Sequence, residues 1–398
     1  MGIRRLAHLL ALMVANLVIV FSLLNLAPIF DRVFPLNDVL LYGYWLGQMH
    51  DGSAIFGIAQ PWVYPYPAML PMLIASFLGG GLGILSGWII MLALINFYLI
   101  GALTSFGTGA RKTFVAAWFW LGSLAALGPV AVGRIDTIAA AVAFLGLMAL
   151  VADRIKLAVG LFTFGAWIKI WPIALAVASF VTQKKKIAMT ITIAAMNLAI
   201  LILAIALGGN SNTLSFLFQQ SARGIQIESP VATAWLWLAK FRIGEANLYF
   251  DKEMLTNQVS GGPVGEVSLI IGLLMFVALG VTAWFGWRAI QRGESSSEVF
   301  TLVALTGVLD LIVFNKVGSP QFMIWLAVPI ISGILYEVRN WRFAIIGSLA
   351  ICAITQLVYP IFYIDLMSLG YPSLILLTLR NVGLVAFLVW STRRLAKL

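Results

Sequence analysis

The sequence predicts an all-α, polytopic membrane protein with about twelve transmembrane helices. Of its 398 residues, 62% are hydrophobic and only 10% are charged. The mean hydropathy of +1.00 lies far above that of soluble domains. Apolar runs of about 18 residues or more recur along the chain, and each can cross a hydrocarbon core about 30 Å thick as a helix. These runs lack the strict alternation of a lipid-facing β-barrel, which favours helices.

The basic residues gather in short clusters between the apolar runs. This is the positive-inside pattern, so we expect the clusters in the cytoplasm and the protein in the plasma membrane. The net charge of +10 therefore does not indicate a nucleic-acid partner. The clusters are Arg4 and Arg5; Lys184, Lys185 and Lys186; Arg288 and Arg292; Arg339 and Arg342; and Arg393, Arg394 and Lys397. Both termini are then cytoplasmic.

The clusters orient the elements in chain order. Residues 6–27 carry no small-residue cleavage site at their end, so they are expected to remain as a spanning helix rather than a signal peptide. Residues 28–66 form an outer loop, a helix at 187–208 runs outward, and a second, polar outer segment covers 209–265. Later spans are predicted near 267–289, 298–314, 321–338, 343–360 and 372–391, with the connections 315–320 and 361–371 outside.

Between residues 66 and 182 the apolar segments are short for full spans. We expect 67–79 not to cross and 157–182 to form a hairpin broken at Trp171-Pro172, because the basic residues near 111 and 155 then lie in the cytoplasm. Breaks at membrane depth are tolerated only where protein or water covers the freed backbone groups, so an outer cavity is expected. No inverted repeat or linker divides the chain, and we treat residues 1–398 as one domain.

Asp38 is the first candidate for chemistry, because it lies just beyond the first span in Phe34-Pro35-Leu36-Asn37-Asp38-Val39. A carboxylate at the edge of a bilayer suits a general base that acts on a hydroxyl. Residues 39–49 are predicted to form a short helix on the membrane, with Leu40, Leu41, Tyr44 and Trp45 toward lipid. Two alternatives stay open: Asp38 as the N-cap of that helix, and the aromatic residues of the loop, including Tyr42, Tyr64 and Tyr66, as an interfacial belt.

The segment 223–229 places Arg223, Gln226 and Glu228 in the second outer loop. A guanidinium presents a planar fork that suits phosphate, and an amide can contact hydroxyls. The alternative is a solvated loop in which Arg223 pairs with Glu228.

The segment 315–321 is the sharpest polar cluster of the C-terminal half. Lys316, Ser319 and Gln321 lie at a predicted helix start, where phosphate binds readily. A charge near bilayer depth is costly unless it is used or paired, which favours a function for Lys316. The alternative is an ion pair with Asp310.

Arg134, Asp136 and Lys169 form a weaker set. Arg134 and Asp136 are two residues apart and could form a local ion pair at a helix end. Lys169 precedes Trp171-Pro172 and could extend its ammonium to the membrane surface.

In the order and spacing of these features, the chain resembles the GT-C superfamily of membrane glycosyltransferases, and most closely glycosyltransferase family 87. That family includes polyprenyl-phosphate-mannose-dependent mannosyltransferases. The resemblance covers nearly the whole chain and rests on Asp38, Tyr64-Pro65-Tyr66-Pro67, the break from Lys169 to Pro172, the segment Arg223 to Ser229, and Lys316 with Ser319-Pro320-Gln321. The chain departs from the family where Tyr-Pro-Pro and Gly-Gln are usual, since it has Tyr66-Pro67-Ala68 and Gly133-Arg134.

The resemblance implies a GT-C-like bundle whose outer loops bear the active site. The implied reaction is an inverting transfer of a sugar, foremost mannose, from a polyprenyl phosphate to a hydroxyl of a cell-envelope glycolipid or lipoglycan. Asp38 would be the catalytic base, and Lys316, Arg223 and Lys169 would bind the donor phosphate. Substrate contacts are expected from Tyr42, Tyr64, Tyr66, Arg134, Gln226, Glu228, Ser319 and Gln321.

Fixed cations can carry a monophosphate leaving group, so we expect neither a cofactor nor a metal. The expected partners are the polyprenyl-phosphate donor, the glycolipid or lipoglycan acceptor, and membrane lipids. A transporter or lipid flippase is the main alternative, although it would place polar residues deep within spans of both halves of the chain. A scaffold without catalysis also stays open.

Overall fold

The computed structural model describes residues 3–51, 55–219, 223–252 and 255–398. In chain order the elements are α1 (Ile3–Leu26), α2 (Asn37–His50), α3 (Met69–Gly79), α4 (Gly83–Leu103), α5 (Arg111–Leu127), α6 (Pro129–Val132), α7 (Ile135–Val151), α8 (Ile155–Ile168), α9 (Ile173–Thr182), α10 (Lys186–Ala206), α11 (Ser215–Gln219), α12 (Ala232–Lys240), β1 (Asn247–Asp251), β2 (Thr256–Ser260), α13 (Val264–Gln291), α14 (Ser296–Val313), α15 (Ala327–Leu335), α16 (Arg342–Gln356), α17 (Tyr363–Met367) and α18 (Tyr371–Lys397).

The molecule is an all-α polytopic membrane protein, as predicted. Among the described residues, seven helical segments are long and apolar enough to cross a membrane: Arg4–Phe30, Tyr66–Leu103, Lys186–Ala206, Val264–Gln291, Ser296–Val313, Arg342–Ile361 and Tyr371–Lys397. Shorter apolar helical segments cover Ile135–Val151, Ile155–Ile168, Ile173–Thr182 and Pro320–Leu335. The later helices lie where the apolar runs placed the later spans.

The short segments between residues 66 and 182 adopt the predicted arrangement. α3 is about 16 Å long, too short to cross a bilayer. It folds back on α4 so closely that a Cβ on Gly87 would meet the main chain of Ala75 and Gly79. The turn between the two helices uses Gly80 and Gly83, both at positive φ. A break at residues 169–172 separates α8 from α9.

Loops that carry the basic clusters meet at one end of the bundle, which we call the basic end. Three contacts connect them: Arg5 donates to the Thr108 carbonyl (3.1 Å), Lys112 pairs with Glu337 (3.0 Å), and Arg394 pairs with Glu298 (3.0 Å). The positive-inside pattern therefore corresponds to one end of the folded molecule.

A buried polar network joins three of the helices inside the bundle. Asn96 of α4 donates to Asn16 of α1 (2.9 Å), and Trp120 of α5 donates to Asn96 (2.9 Å). All three side chains are buried. Such hydrogen bonds hold helices together inside a membrane, where apolar side chains pack against lipid about as well as against protein.

The segment 209–265 is more regular than a loop. It contains α11, α12 and an antiparallel hairpin in which Asn247 of β1 pairs with Ser260 of β2 and Asp251 with Thr256. The indole of Trp237 in α12 donates to Thr378 of α18 (2.9 Å). The polar composition predicted an outer segment here, but the strands were not predicted.

Candidate active site

Asp38 lies in the first turn of α2 and forms an ion pair with Arg134. Asp38 Oδ1 is 2.8 Å from Arg134 Nη1, and the Asp38 side chain remains 30% exposed. Leu36 is the N-cap residue of α2 and makes no side-chain capping bond within the described chain, so the N-cap interpretation of Asp38 is wrong. The start of α2 is set by Gly133, because a Cβ there would meet Leu36 and the Pro35 carbonyl.

Arg134 and Asp136 do not form the local pair that their spacing suggested. Arg134 has an extended backbone, whereas Asp136 is in the first turn of α7. Asp136 is fully buried, accepts a hydrogen bond from the Trp325 indole (2.8 Å), and has Lys169 Nζ 3.9 Å from its Oδ2. Burial by itself lowers the pKa of Arg134, but the combined effect of the Asp38 carboxylate and the nearby tyrosines is larger and raises it.

Lys169 lies in the break between α8 and α9. Its side chain is 17% exposed, and its Nζ lies 4.8 Å from the ring centroid of Tyr64. This cation–π contact and the carboxylate of Asp136 direct the ammonium toward the site. The alternative in which Lys169 extends to the membrane surface is therefore wrong.

Tyr42 and Tyr64 form part of the same site. Tyr42 is fully buried, and its hydroxyl accepts the N–H of Ile135 at 3.3 Å. The phenols of Tyr42 and Tyr64 lie close enough to influence one another electrostatically. Burial, and then the carboxylate of Asp38, raises the pKa of Tyr64, so its phenol stays a neutral hydrogen-bonding group.

The helix predicted at residues 39–49 is present as α2, but the side chains that it exposes differ in one respect from those predicted. Leu40 and Tyr44 are exposed, as expected for a lipid-facing side. Trp45 instead packs against Trp62, with ring centroids 5.2 Å apart, and against Tyr64 at 6.0 Å. The aromatic residues of the loop therefore form a packed cluster beside the site rather than only an interfacial belt.

Arg223 and Lys316, which are distant in sequence, are neighbours in the fold. Burial lowers the pKa of Arg223, whereas Tyr64, Asp251 and Asp38 act in the opposite direction. Burial, and then the positive charge of Arg223, lowers the pKa of Lys316. Arg223 is thus within electrostatic reach of both Asp38 and Lys316.

Gln226 and Ser319 connect the two cationic segments. The N–H of Gln226 donates to the Lys316 carbonyl at 2.9 Å, and the Ser319 hydroxyl donates to the Gln226 side chain at 3.4 Å. Gln321 is buried two residues further along, in the 3₁₀ helix Pro320–Leu326. The two segments that were predicted to bind phosphate, 223–229 and 315–321, therefore contact one another.

Glu228 and Tyr66 are not in the positions that their predicted roles require. Glu228 is buried and interacts with Tyr363, Gln226 and Arg380, so the predicted pair with Arg223 is wrong. Tyr66 donates to the Ile200 carbonyl of α10 at 2.6 Å and packs in a separate cluster.

Sequence reasoning missed several residues of the site. Trp325 orients Asp136, and Tyr359 accepts a hydrogen bond from Arg134 at 3.5 Å. Arg380, a buried arginine in α18, also went unnoticed. A charge within an apolar run is itself a signal of function or pairing, and this signal could have identified Arg380.

A family model supplies the deciding comparison. The model of glycosyltransferase family 87 matches residues 62–314, well over half of the chain. The chain belongs to glycosyltransferase family 87. No curated protein matches it. The family 87 match includes Tyr64, Arg134, Lys169 and Arg223, whereas Asp38 lies before it.

As a family 87 glycosyltransferase, the protein needs a group that accepts a proton from the acceptor and groups that stabilise the charge that develops on the leaving group. The partly exposed carboxylate of Asp38 meets the first requirement chemically. The cationic side chains of Lys169, Arg223 and Lys316 meet the second. Asp38 and Lys316 lie outside the matched region, so their assignment to the site depends on the geometry.

Proposed function

We propose that this glycosyltransferase transfers a sugar, with mannose as the first candidate, from a polyprenyl phosphate to a hydroxyl of a cell-envelope glycolipid or lipoglycan. The transfer proceeds with inversion on the outer face of the plasma membrane. Asp38 is the catalytic base, and Arg223, Lys316 and Lys169 bind the donor phosphate.

One observation carries the proposal: the segment that contains Arg223 is hydrogen-bonded to the segment that contains Lys316, from the Gln226 N–H to the Lys316 carbonyl (2.9 Å), and the Asp38 carboxylate is within electrostatic reach of Arg223. Two positive charges that lie close together favour the binding of an anion between them. A phosphate group satisfies both cations, and the nearby carboxylate then faces the carbon from which that phosphate departs.

The proposed reaction is a single displacement. The acceptor hydroxyl oxygen forms a bond to the anomeric carbon while Asp38 accepts its proton. The bond between that carbon and the phosphate oxygen breaks, and its electron pair leaves with the polyprenyl phosphate. The guanidinium and the two ammonium groups stabilise the negative charge that grows on this oxygen. Attack opposite the leaving group inverts the configuration.

An apolar stripe on α9 supports a lipid-linked donor. Ile170, Ile173, Val177 and Phe180 recur at helical spacing and are between 39% and 45% exposed. The stripe begins next to Lys169, so a chain that lay along it would end at the cationic site.

The Asp38 variant provides the direct test. Asp38→Asn removes the proton acceptor while it preserves size, and we expect a loss in kcat of about 10²–10⁴-fold. The assay uses purified protein in proteoliposomes with radiolabelled polyprenyl-phosphate-mannose and a glycolipid acceptor.

Asp51→Asn is the matched control, because Asp51 is an exposed carboxylate at the other end of α2. It should retain the wild-type rate. Full activity of Asp38→Asn would refute the assigned base, and equal turnover of a nucleotide sugar would refute the donor class.

A further inference from the structure

The segment 225–229 lies between the β-hairpin and the loop that contains Lys316. The N–H of Ile227 donates to the Asn257 carbonyl (3.1 Å), and the Ile225 carbonyl accepts the N–H of Val259 (2.9 Å). On the other side, the N–H of Gln226 donates to the Lys316 carbonyl. This short segment therefore determines where Arg223 lies relative to Lys316.

Two side chains of α18 secure this segment. The Arg380 guanidinium donates to the main-chain carbonyl of Glu228, and Asn381 donates to the Ser229 carbonyl (3.3 Å) and the Thr233 hydroxyl (2.7 Å). Arg380 is 1% exposed. Because the guanidinium binds a main-chain oxygen, Arg380 holds the backbone itself in place rather than a particular side chain.

The carboxylate of Glu228 compensates the charge of Arg380. The two groups attract one another electrostatically, and the phenol of Tyr363 lies near the carboxylate. Removal of one partner from a buried charged pair leaves the other uncompensated, which is costly. The hydrogen bonds from Arg380 and Asn381 to main-chain carbonyls therefore tie α18 to the segment 225–229, and the carboxylate of Glu228 lowers the cost of burying Arg380.

The two cationic segments also approach one another very closely. A Cβ on Gly318 would overlap the main chain of Glu228 and Ser229. This close approach brings the positive charges of Arg223 and Lys316 together, although they repel one another.

We propose that Arg380, together with Glu228, is a positioning residue that keeps Arg223 and Lys316 at the spacing required by the donor phosphate before the donor binds. This inference rests on the proposed function. Arg380 acts through the main chain of residues 228–229, and it does not touch the donor. The preformed spacing reduces the cost of ordering the site when the phosphate arrives.

Arg380→Gln tests the proposal through the kinetics of the donor. We expect KM for polyprenyl-phosphate-mannose to rise about tenfold, while kcat at saturating donor stays within about threefold of wild type. Arg380→Lys retains a charged donor and should recover part of the loss. Arg393→Gln, on an exposed residue near the other end of α18, is the matched control and should not change KM.

Hydrogen–deuterium exchange separates this proposal from the proposed function, because it needs no donor. In Arg380→Gln, peptides that cover 223–229 and 315–319 should exchange faster than in wild type, while peptides of α5 should not change. If wild type fails to use a polyprenyl-phosphate sugar, the proposed function falls, but the exchange result still decides the role of Arg380.

Unchanged donor KM together with unchanged exchange in Arg380→Gln would overturn the proposal. A loss confined to kcat would also overturn the proposal. A purely structural role would reduce the fraction of enzyme that is active, which lowers the apparent kcat but leaves KM unchanged. If Arg380→Gln does not accumulate as folded protein, Asn381→Ala serves as the second variant. It should raise KM and local exchange in the same direction by a smaller factor, and no effect on either would overturn the proposal.

Discussion

Charged side chains at the active site pair across the chain rather than with their sequence neighbours. Arg134 and Asp136 are two positions apart, yet Arg134 pairs with Asp38 and Asp136 with Lys169. The extended backbone at Arg134, followed at once by a helix, points the two side chains in different directions. Partners at such a site therefore depend on backbone direction as well as on proximity in sequence.

The lowered pKa of Lys316 predicts a specific pH dependence. Burial and Arg223 lower this pKa, so the free enzyme loses the proton of Lys316 at a lower pH than it would from an ordinary lysine. Donor kcat/KM, which reports on the free enzyme, should fall as pH rises through that value. Lys316→Arg should move the fall to higher pH, because a guanidinium keeps its proton.

The measurement is a pH–rate profile of kcat/KM with the donor varied. Lys252→Arg, on an exposed residue of the turn after β1, is the control and should leave the profile unchanged. If kcat/KM fell at the same alkaline pH in wild type and in Lys316→Arg, the assignment of Lys316 to the donor phosphate would be contradicted.

The position of α2 depends on a close approach between two loops. Gly133, which ends α6, leaves no room for a side chain, because a Cβ would lie 2.6 Å from Leu36 Cδ2 and 2.8 Å from the Pro35 carbonyl oxygen. Asp38 follows three residues after Pro35 and pairs with Arg134, which follows Gly133. The contact of these two loops therefore sets the geometry of the proposed base.

Gly133→Ala should displace the start of α2 and thereby Asp38. A displacement of about 1 Å at a catalytic group can lower the rate on the order of 10²-fold. We expect a loss of this kind in kcat, while the protein remains folded by circular dichroism and gel filtration.

Gly122→Ala in α5 is the matched control. A Cβ at Gly122 would make an ordinary contact of 3.8 Å with Leu349, so activity should not change. Wild-type kcat in Gly133→Ala would show that the rigid contact between the two loops does not position Asp38.

In the molecule as a whole, the paired charged side chains lie in two regions, the basic end and the candidate active site. The loops with paired basic clusters meet at the basic end, and the candidate active site lies where α2, the break after α8 and the segment 315–321 meet. Asp310, buried in α14, accepts a hydrogen bond from Thr282 (2.7 Å) and ties two helices together. A one-sided site of this kind favours transfer at a single membrane face over transport.

Cysteine labelling can test the proposed orientation. The chain has one cysteine, Cys352, which is 2% exposed and should react little. Lys252→Cys on the hairpin should react with an impermeant maleimide in intact cells, and Lys397→Cys should react only after permeabilisation. Both positions are exposed, so a difference between them reports the side of the membrane.

Labelling of both variants after permeabilisation is the control for accessibility. Reaction of Lys397→Cys in intact cells, with none at Lys252→Cys, would reverse the proposed orientation and place the active site in the cytoplasm.

Hydrophobic length and charge placement were enough to predict the helical bundle, the break at Trp171-Pro172 and the helix after Asp38. These features follow from local properties, since a span needs a run of apolar residues and a break needs proline, glycine or charge. The same reasoning selected Asp38, Arg223, Lys169 and Lys316, because charges beside a bilayer are costly unless they serve a purpose.

Long-range contacts decided the remaining features of the site. The pairing of Arg134 with Asp38, the burial of Asp136 beneath Trp325, and the contact of Arg380 with residue 228 all join segments more than 90 residues apart. Sequence spacing carries no information about such contacts, because they depend on how helices pack and on which direction each backbone presents its side chains. Composition could therefore select the reactive groups, whereas packing assigned their partners.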